Sequence, residues 1–142
     1  MLSGTFDVNL GSGDFTTGWL DVVAADGKDL AASAMLYADY GPGAQYGLIP
    51  RKVVVDPVDN TMYVAGEWHT NHAGTEGNAL VARIPPIETP LWSGIDQIWR
   101  YDGPSTGVDA FYGLMIQPHN GTFAVGTEMT GTGAKAIAHR VK

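Results

Sequence analysis

The sequence predicts an all-β protein built of antiparallel meander sheets. Three observations predict it. Gly and Pro, 19 and 8 of 142 residues, interrupt most windows before two helical turns can form. Short β-rich segments, bounded by turn residues, recur every ~8–12 residues, the spacing of a sandwich, barrel or other all-β architecture. Finally, one strand-turn-strand pattern occurs twice.

The elements follow in order. Thr5–Val8 alternates, and Trp19–Val23 is a short apolar run. Asp29–Tyr40 is Ala-rich, which favours helix. Leu30, Ala32, Ala34 and Leu36 nevertheless alternate with their neighbours, and Asp26-Gly27 just upstream is a hairpin signal, so a strand is expected. Lys52–Val55 is β-branched, and Thr61–Ala65 follows an Asp59-Asn60 turn. Asn78–Ile84, Gln97–Tyr101, Leu114–Ile116, Thr122–Val125 and Lys135–Val141 complete the set. Pro85-Pro86 to Pro90 reads as a rigid loop inside one unit. With no linker in sight, residues 1–142 are expected to form a single all-β domain.

Composition excludes several function classes. Eight Lys and Arg against fifteen Asp and Glu give a net charge of -7, which disfavours phosphate-backbone binding, so no nucleic-acid partner is expected. No run of 18 apolar residues occurs, so no membrane span by helix is expected. Met1–Leu10 lacks a basic and an apolar region, so no signal peptide is expected. The absence of Cys excludes disulfides, thiolate catalysis and cysteine-held metal centres.

The repeat pairs Val54-Val55-Asp56-Pro57-Val58-Asp59-Asn60-Thr61-Met62-Tyr63-Val64-Ala65-Gly66 with Met115-Ile116-Gln117-Pro118-His119-Asn120-Gly121-Thr122-Phe123-Ala124-Val125-Gly126. Each copy continues through a Gly/Thr-rich loop into a further strand, Ala79–Ile84 and Ala136–Val141, so that Arg83 falls on Arg140. A weaker third copy runs from Leu20-Asp21-Val22-Val23 through Asp26-Gly27 to Ala34, giving repeat-like units over about 19–50, 53–101 and 111–141. Over 53–141 this pattern resembles the blades of β-propeller proteins of the broad kelch-like class. The resemblance implies propeller-like blades; a β-sandwich or barrel is the alternative. Trp99-Arg100-Tyr101-Asp102-Gly103 then looks like an outer strand and its turn. At most three blades fit, whereas closed propellers need about four or more. Neighbouring chains would complete the ring, or Leu2–Val8 would pair beside the last strand. A homo-oligomer, or a part of a larger assembly, is expected.

Two segments hold the candidate interaction residues. Glu67-Trp68-His69-Thr70-Asn71-His72 is the densest polar-aromatic cluster. His69 and His72, with Glu67 or Glu76, have the ligand chemistry of zinc, but a Gly/Thr-rich loop does not fix a coordination geometry, and no metal site is assigned. Trp68, with Asn71, His69 and Glu67, would equally suit a sugar face. Tyr37, Tyr40 and Tyr46 flank Gly41-Pro42-Gly43 in a second expected loop. The simpler reading of these aromatics is core cover or subunit contact. Asp56–Asn60 reads as a turn with Asx caps and not a calcium loop. Asn120-Gly121-Thr122 reads as a hairpin turn although it matches a glycosylation sequon. Gly11-Ser12-Gly13 and Gly131-Thr132-Gly133 fit no nucleotide-binding fingerprint, and Ser93 lacks a nucleophile-elbow context. With no triad and no assignable carboxylate pair, no enzyme and no cofactor are expected.

The function expected is that of a structural assembly protein, acting through self-contacts and contacts with other structural subunits. Small, acidic, Cys-free, Gly-rich all-β chains are similar in type to phage capsid-decoration or tail proteins, which implies a virion or other extracellular assembly. A lectin-like module, assembled from several chains and binding a glycan, is the alternative. Trp68 falls on Met129 in the repeat, so the aromatic-polar cluster is not itself repeated, which weighs against the lectin.

Overall fold

Among the described residues, ten strands carry the alternating segments. A computed structural model describes residues 2–9, 14–23, 30–39, 45–70, 75–86, 95–117 and 121–141, with side chains described from Leu48 onward. The strands are β1 Leu2–Asn9, β2 Asp14–Val23, β3 Leu30–Asp39, β4 Gln45–Val55, β5 Met62–His69, β6 Gly77–Ile84, β7 Gln97–Tyr101, β8 Ala110–Gln117, β9 Gly121–Thr130 and β10 Gly133–Arg140. The protein is all-β and every strand pair is an antiparallel meander step. The first seven strands form one sheet in sequence order, and β8–β10 form a second.

The larger sheet pinches between β3 and β4. Only Tyr37↔Gly47, Ala38↔Tyr46 and Asp39↔Gln45 pair there, whereas β1–β2 pair along their whole length. β1 and β2 also come close to β4 without being its ladder partners. The sheet therefore folds back on itself at this short ladder. The chain reads as three stacked groups: β1–β3, β4–β7 and β8–β10.

β5 and β6 are buried on both faces, which explains their near-continuous apolar sequence. Successive side chains point to opposite faces. Leu48, Met62, Val64, Trp68, Leu80, Ala82 and Ile84 form one core cluster. Tyr63, Ala65, Ala79 and Val81 form the other, against Phe111, Leu114 and Ala124 of the second sheet. The second cluster thus packs the middle group onto β8–β10.

Two β-bulges occupy equivalent places. The β4–β5 register shifts between Pro50 and Lys52, leaving Arg51 as the extra residue. The β8–β9 register shifts between Phe111 and Gly113, leaving Tyr112. Pro50 faces Gly66 and Phe111 faces Gly126, the residues that end the two copies of the repeat. A Cβ on Gly66 would stand 2.1 Å from the Ile49 carbonyl oxygen, and one on Gly126 would stand 1.9 Å from that of Ala110. Glycine is required at both because the bulged strand leans onto it.

Several expectations need correction. Leu2–Val8 lies in β1 and pairs with β2, not with the last strand; β10 pairs with β9 alone. Tyr37 and Tyr46 are ladder residues of β3 and β4 and not loop residues. β4 extends far upstream of Lys52, because the bulge accommodates Pro50, which has no N–H to give to a ladder. With the bulges in register, Trp68 falls on Glu128, not Met129. Tyr40, the Gly41–Gly43 segment, Asp26-Gly27, Gly11–Gly13, Pro90, Ser93, Pro118–Asn120, Asn71 and His72 lie outside the described residues.

Candidate functional site

The Asp56–Asn60 segment is the expected turn. Asp56 Oδ1 accepts from the Val58 N–H, Asp59 Oδ1 accepts from the Thr61 N–H, and Asn60 sits at φ 60°. These carboxylates cap backbone donors. The Thr61 backbone N–H holds the Asp59 carboxyl below its ordinary value.

The expected loop cluster is largely strand. Glu67, Trp68 and His69 end β5, and Glu67 and Trp68 are buried. Glu67 lies at the joint between groups. Arg51, pushed outward by its bulge, donates to Glu67 Oε1 at 2.6 Å, and His69 Nε2 lies 3.6 Å from the same oxygen. Burial raises the Glu67 pKa, but hydrogen bonds from His69 and Arg51 outweigh it and hold the carboxyl below its ordinary range. The Arg51 guanidinium also sits 5.9 Å from the Tyr112 ring centre, so the two bulge residues meet across the groups. Trp68 carries the Arg100 guanidinium 4.5 Å above its ring.

A second polar seam ties β7 to β9 and β10. The Tyr101 hydroxyl donates to Glu128, Lys135 pairs with Glu128 at 3.1 Å, and His139 packs on the Tyr101 ring at 4.2 Å. The Tyr101 bond raises the tyrosine pKa and lowers that of Glu128, with Lys135 adding to the latter. Asp109, fully buried, is the hub beside it. Its Oδ2 accepts the Gly103 N–H at 2.6 Å and its Oδ1 the Met129 N–H at 2.7 Å. The Gly77 carbonyl accepts the Asp109 N–H, and Gly77 donates to Gly107. These bonds lock the 103–109 segment onto β6 and β9. A cavity of about 390 Å³ lies beside that segment, lined mainly by Thr70, Glu76, Asn78, Asp102, Ser105 and Thr106.

The outer face of β8–β10 is exposed where the equivalent face of the middle group is buried. Val125 is 50% exposed and Met115 57%, with Ala136 and Ala138 also exposed and Phe123 half-buried. Cross-strand pairing puts Met115 opposite Phe123, and Val125 opposite Gly113 and Ala138, on one face. Sequence reading did not single out these residues. The repeat contained the signal: their counterparts Val54, Tyr63, Ala65, Ala79 and Val81 belong to the packed cluster that receives β8–β10. The fold and this face together define an all-β meander protein with an open apolar end.

Comparison with known proteins adds one distant likeness. No family model and no solved structure matches. The chain is 29% identical over 124 residues to Zinc phosphodiesterase ELAC protein 2 of Rattus norvegicus, and 27% identical to its Mus musculus counterpart. The match covers 78% of this chain but spans only 14% of those proteins.

A zinc centre does not fit the described residues. No three of their His, Asp and Glu side chains converge as a metal site would require. His69 is engaged with Glu67, and His139 packs on Tyr101. Asp56, Asp59 and Asp109 accept from backbone N–H groups, and Glu67, Asp96 and Glu128 face cationic partners.

Proposed function

We propose that this protein is a non-enzymatic assembly component made of propeller-type units, which associates with further copies of itself through the faces of its sheets. One observation carries this reading: the apolar outer face of β8–β10, with Val125 and Met115 half exposed in the middle of it. Contiguous apolar surface of this kind marks an interaction site. The polar seams support it from behind, because they fix the sheet that presents the face. A virion surface or another extracellular particle is the setting that the composition favours.

Glycan binding is the second reading, and the polar cavity beside Asn78 and Asp102 favours it. Among the described lining side chains none is aromatic, so these offer a sugar ring no stacking face.

Light scattering coupled to size exclusion tests the first reading. A defined oligomer that survives dilution is expected, and a monomer at every concentration would overturn it. Incubation with zinc and bis(p-nitrophenyl) phosphate should give no turnover. Zinc-dependent hydrolysis would overturn the non-enzymatic reading.

A further inference from the structure

We infer that the outer edge of β10 is a strand-addition site. It takes an extended segment of a partner protein that carries an acidic residue followed, three and five places on, by two aromatic residues. This goes beyond the assembly reading above, which concerns contacts between sheet faces.

The middle group supplies the template. With the bulges in register, Gly126 falls on Gly66 and β10 falls on β6. Ala136, Ala138 and Arg140 then stand where Ala79, Val81 and Arg83 stand. β6 pairs on both sides, with β5 and β7, and is buried or half-buried throughout. Among the described residues β10 pairs with β9 alone, and most of its length is exposed. Its backbone is oriented for addition. The Val141 N–H donates to the Thr122 carbonyl, so alternation turns the N–H and C=O groups of Ala136, Ala138 and Arg140 away from β9. The same parity holds in β6, where Gly77 bonds outward to Gly107 and Asp109, and the Arg83 carbonyl accepts the Asp96 N–H at 3.1 Å. Edges are commonly blunted by Pro, a bulge or an outward Lys. β10 contains no Pro, its ladder with β9 has no register shift, and Lys135 is held to Glu128 at 3.1 Å.

The chemistry of the occupant follows from β7. Trp99 and Tyr101 lie opposite Val81 and Ala79 and pack against the second cluster, and Arg83 Nη1 meets Asp96 Oδ2 at 2.5 Å. A strand of that pattern on β10 would set its rings beside Ala138 and Ala136, next to the exposed Val125. Both alanines are small and exposed, which leaves room for the rings. The acid would meet Arg140, whose guanidinium has donors for more than one partner. A second β10 would not serve, because it carries Ala and no ring at those places. Main-chain bonds supply affinity in such an addition, and the alternate side chains supply selectivity.

A fluorescein-labelled peptide with the sequence of residues 95–102, Ile-Asp-Gln-Ile-Trp-Arg-Tyr-Asp, tests this by fluorescence anisotropy against the whole native chain. Saturable binding is expected. Exchange of both aromatic residues of the peptide for Ala should weaken it at least about tenfold. A shuffled peptide should not bind. Ala138→Pro removes an outward N–H without touching a bond to β9, so it should weaken binding about tenfold and leave the circular dichroism spectrum unchanged. No saturable binding, equal binding of the shuffled peptide, or full binding to Ala138→Pro would overturn the inference. So would a native oligomer that Ala138→Pro dissociates, since the edge would then join copies of this chain and the assembly reading would stand. A native monomer that binds the peptide would overturn the assembly reading and support this inference.

Discussion

Replacing Gly126 by Ala tests the close strand approach on which the unit repeat depends. The new Cβ would lie 1.9 Å from the Ala110 carbonyl oxygen and 2.8 Å from the Ala110 carbonyl carbon and the Phe111 Cα. All three are backbone atoms, so no rotamer change relieves the contact. β8 would have to withdraw by roughly 1 Å, which strains the Phe111–Gly126 pairing and the bulge at Tyr112. Overpacking of this kind costs about 1–3 kcal/mol. The smaller conformational freedom of Ala in the unfolded chain returns about 0.4–1 kcal/mol. A net loss of about 1–2 kcal/mol remains, or a Tm lower by about 3–10 °C at this chain length. Gly66→Ala, 2.1 Å from the Ile49 carbonyl oxygen, should behave alike. Gly131→Ala is the control, since its Cβ meets nothing within 4 Å. Thermal and urea melts of the three variants decide the matter. If Gly126→Ala melts within about 1 °C of Gly131→Ala, β8 does not lean onto β9 in solution, and the register equivalence of the two units is wrong.

Asp109→Asn should cost about 2–4 kcal/mol in urea unfolding, because one of two buried N–H donors, of Gly103 or Met129, would face an amide NH₂ in place of a charged acceptor. Arg51→Met should cost less, about 1 kcal/mol, since Arg51 is 42% exposed and water can solvate the Glu67 oxygen it leaves. Acid should destabilise the fold through Glu67 and Glu128, whose folded pKa values lie below the ordinary 4.5. The unfolded chain therefore takes up these protons first as the pH falls. Their contribution is complete above about pH 4.5 and fades as the pH drops through the folded values. Urea midpoints between pH 7 and pH 3 should fall at the acid end, and less steeply in Glu67→Gln. An identical slope in that variant would refute the assignment.

The strand content was legible because apolar alternation and turn residues agree along the chain. Leu30–Asp39 shows how: its Ala content favours helix, but the period-two pattern and the upstream turn prevail. β4 was legible only in its last four residues, since Pro50 and the Gly47 and Arg51 around it hide a bulged strand behind loop-like composition. Glu67 and Trp68 were read as loop residues for a similar reason. A buried carboxylate looks like a surface group until its partner is known, and Arg51 is 16 positions away. Asp109 is a stronger case, because its two acceptors serve backbone donors, which leave no trace in side-chain identity. The open face was hidden differently. Met115, Phe123 and Val125 read as ordinary core residues, and only the structure shows that Met115 and Val125 are exposed on the outside of β8–β10.

A stack of alike units cannot satisfy both of its ends by itself. The face of the middle group that β8–β10 cover is repeated on the outside of β8–β10, where Met115 and Val125 are exposed. Solenoids solve this with polar terminal repeats. Here β8–β10 keep Met115 and Val125 where the middle unit has Val54 and Ala65, so their outer face has the apolar character of an interior one. The two remaining solutions are a ring and a filament, separated only by whether the rotation per unit closes.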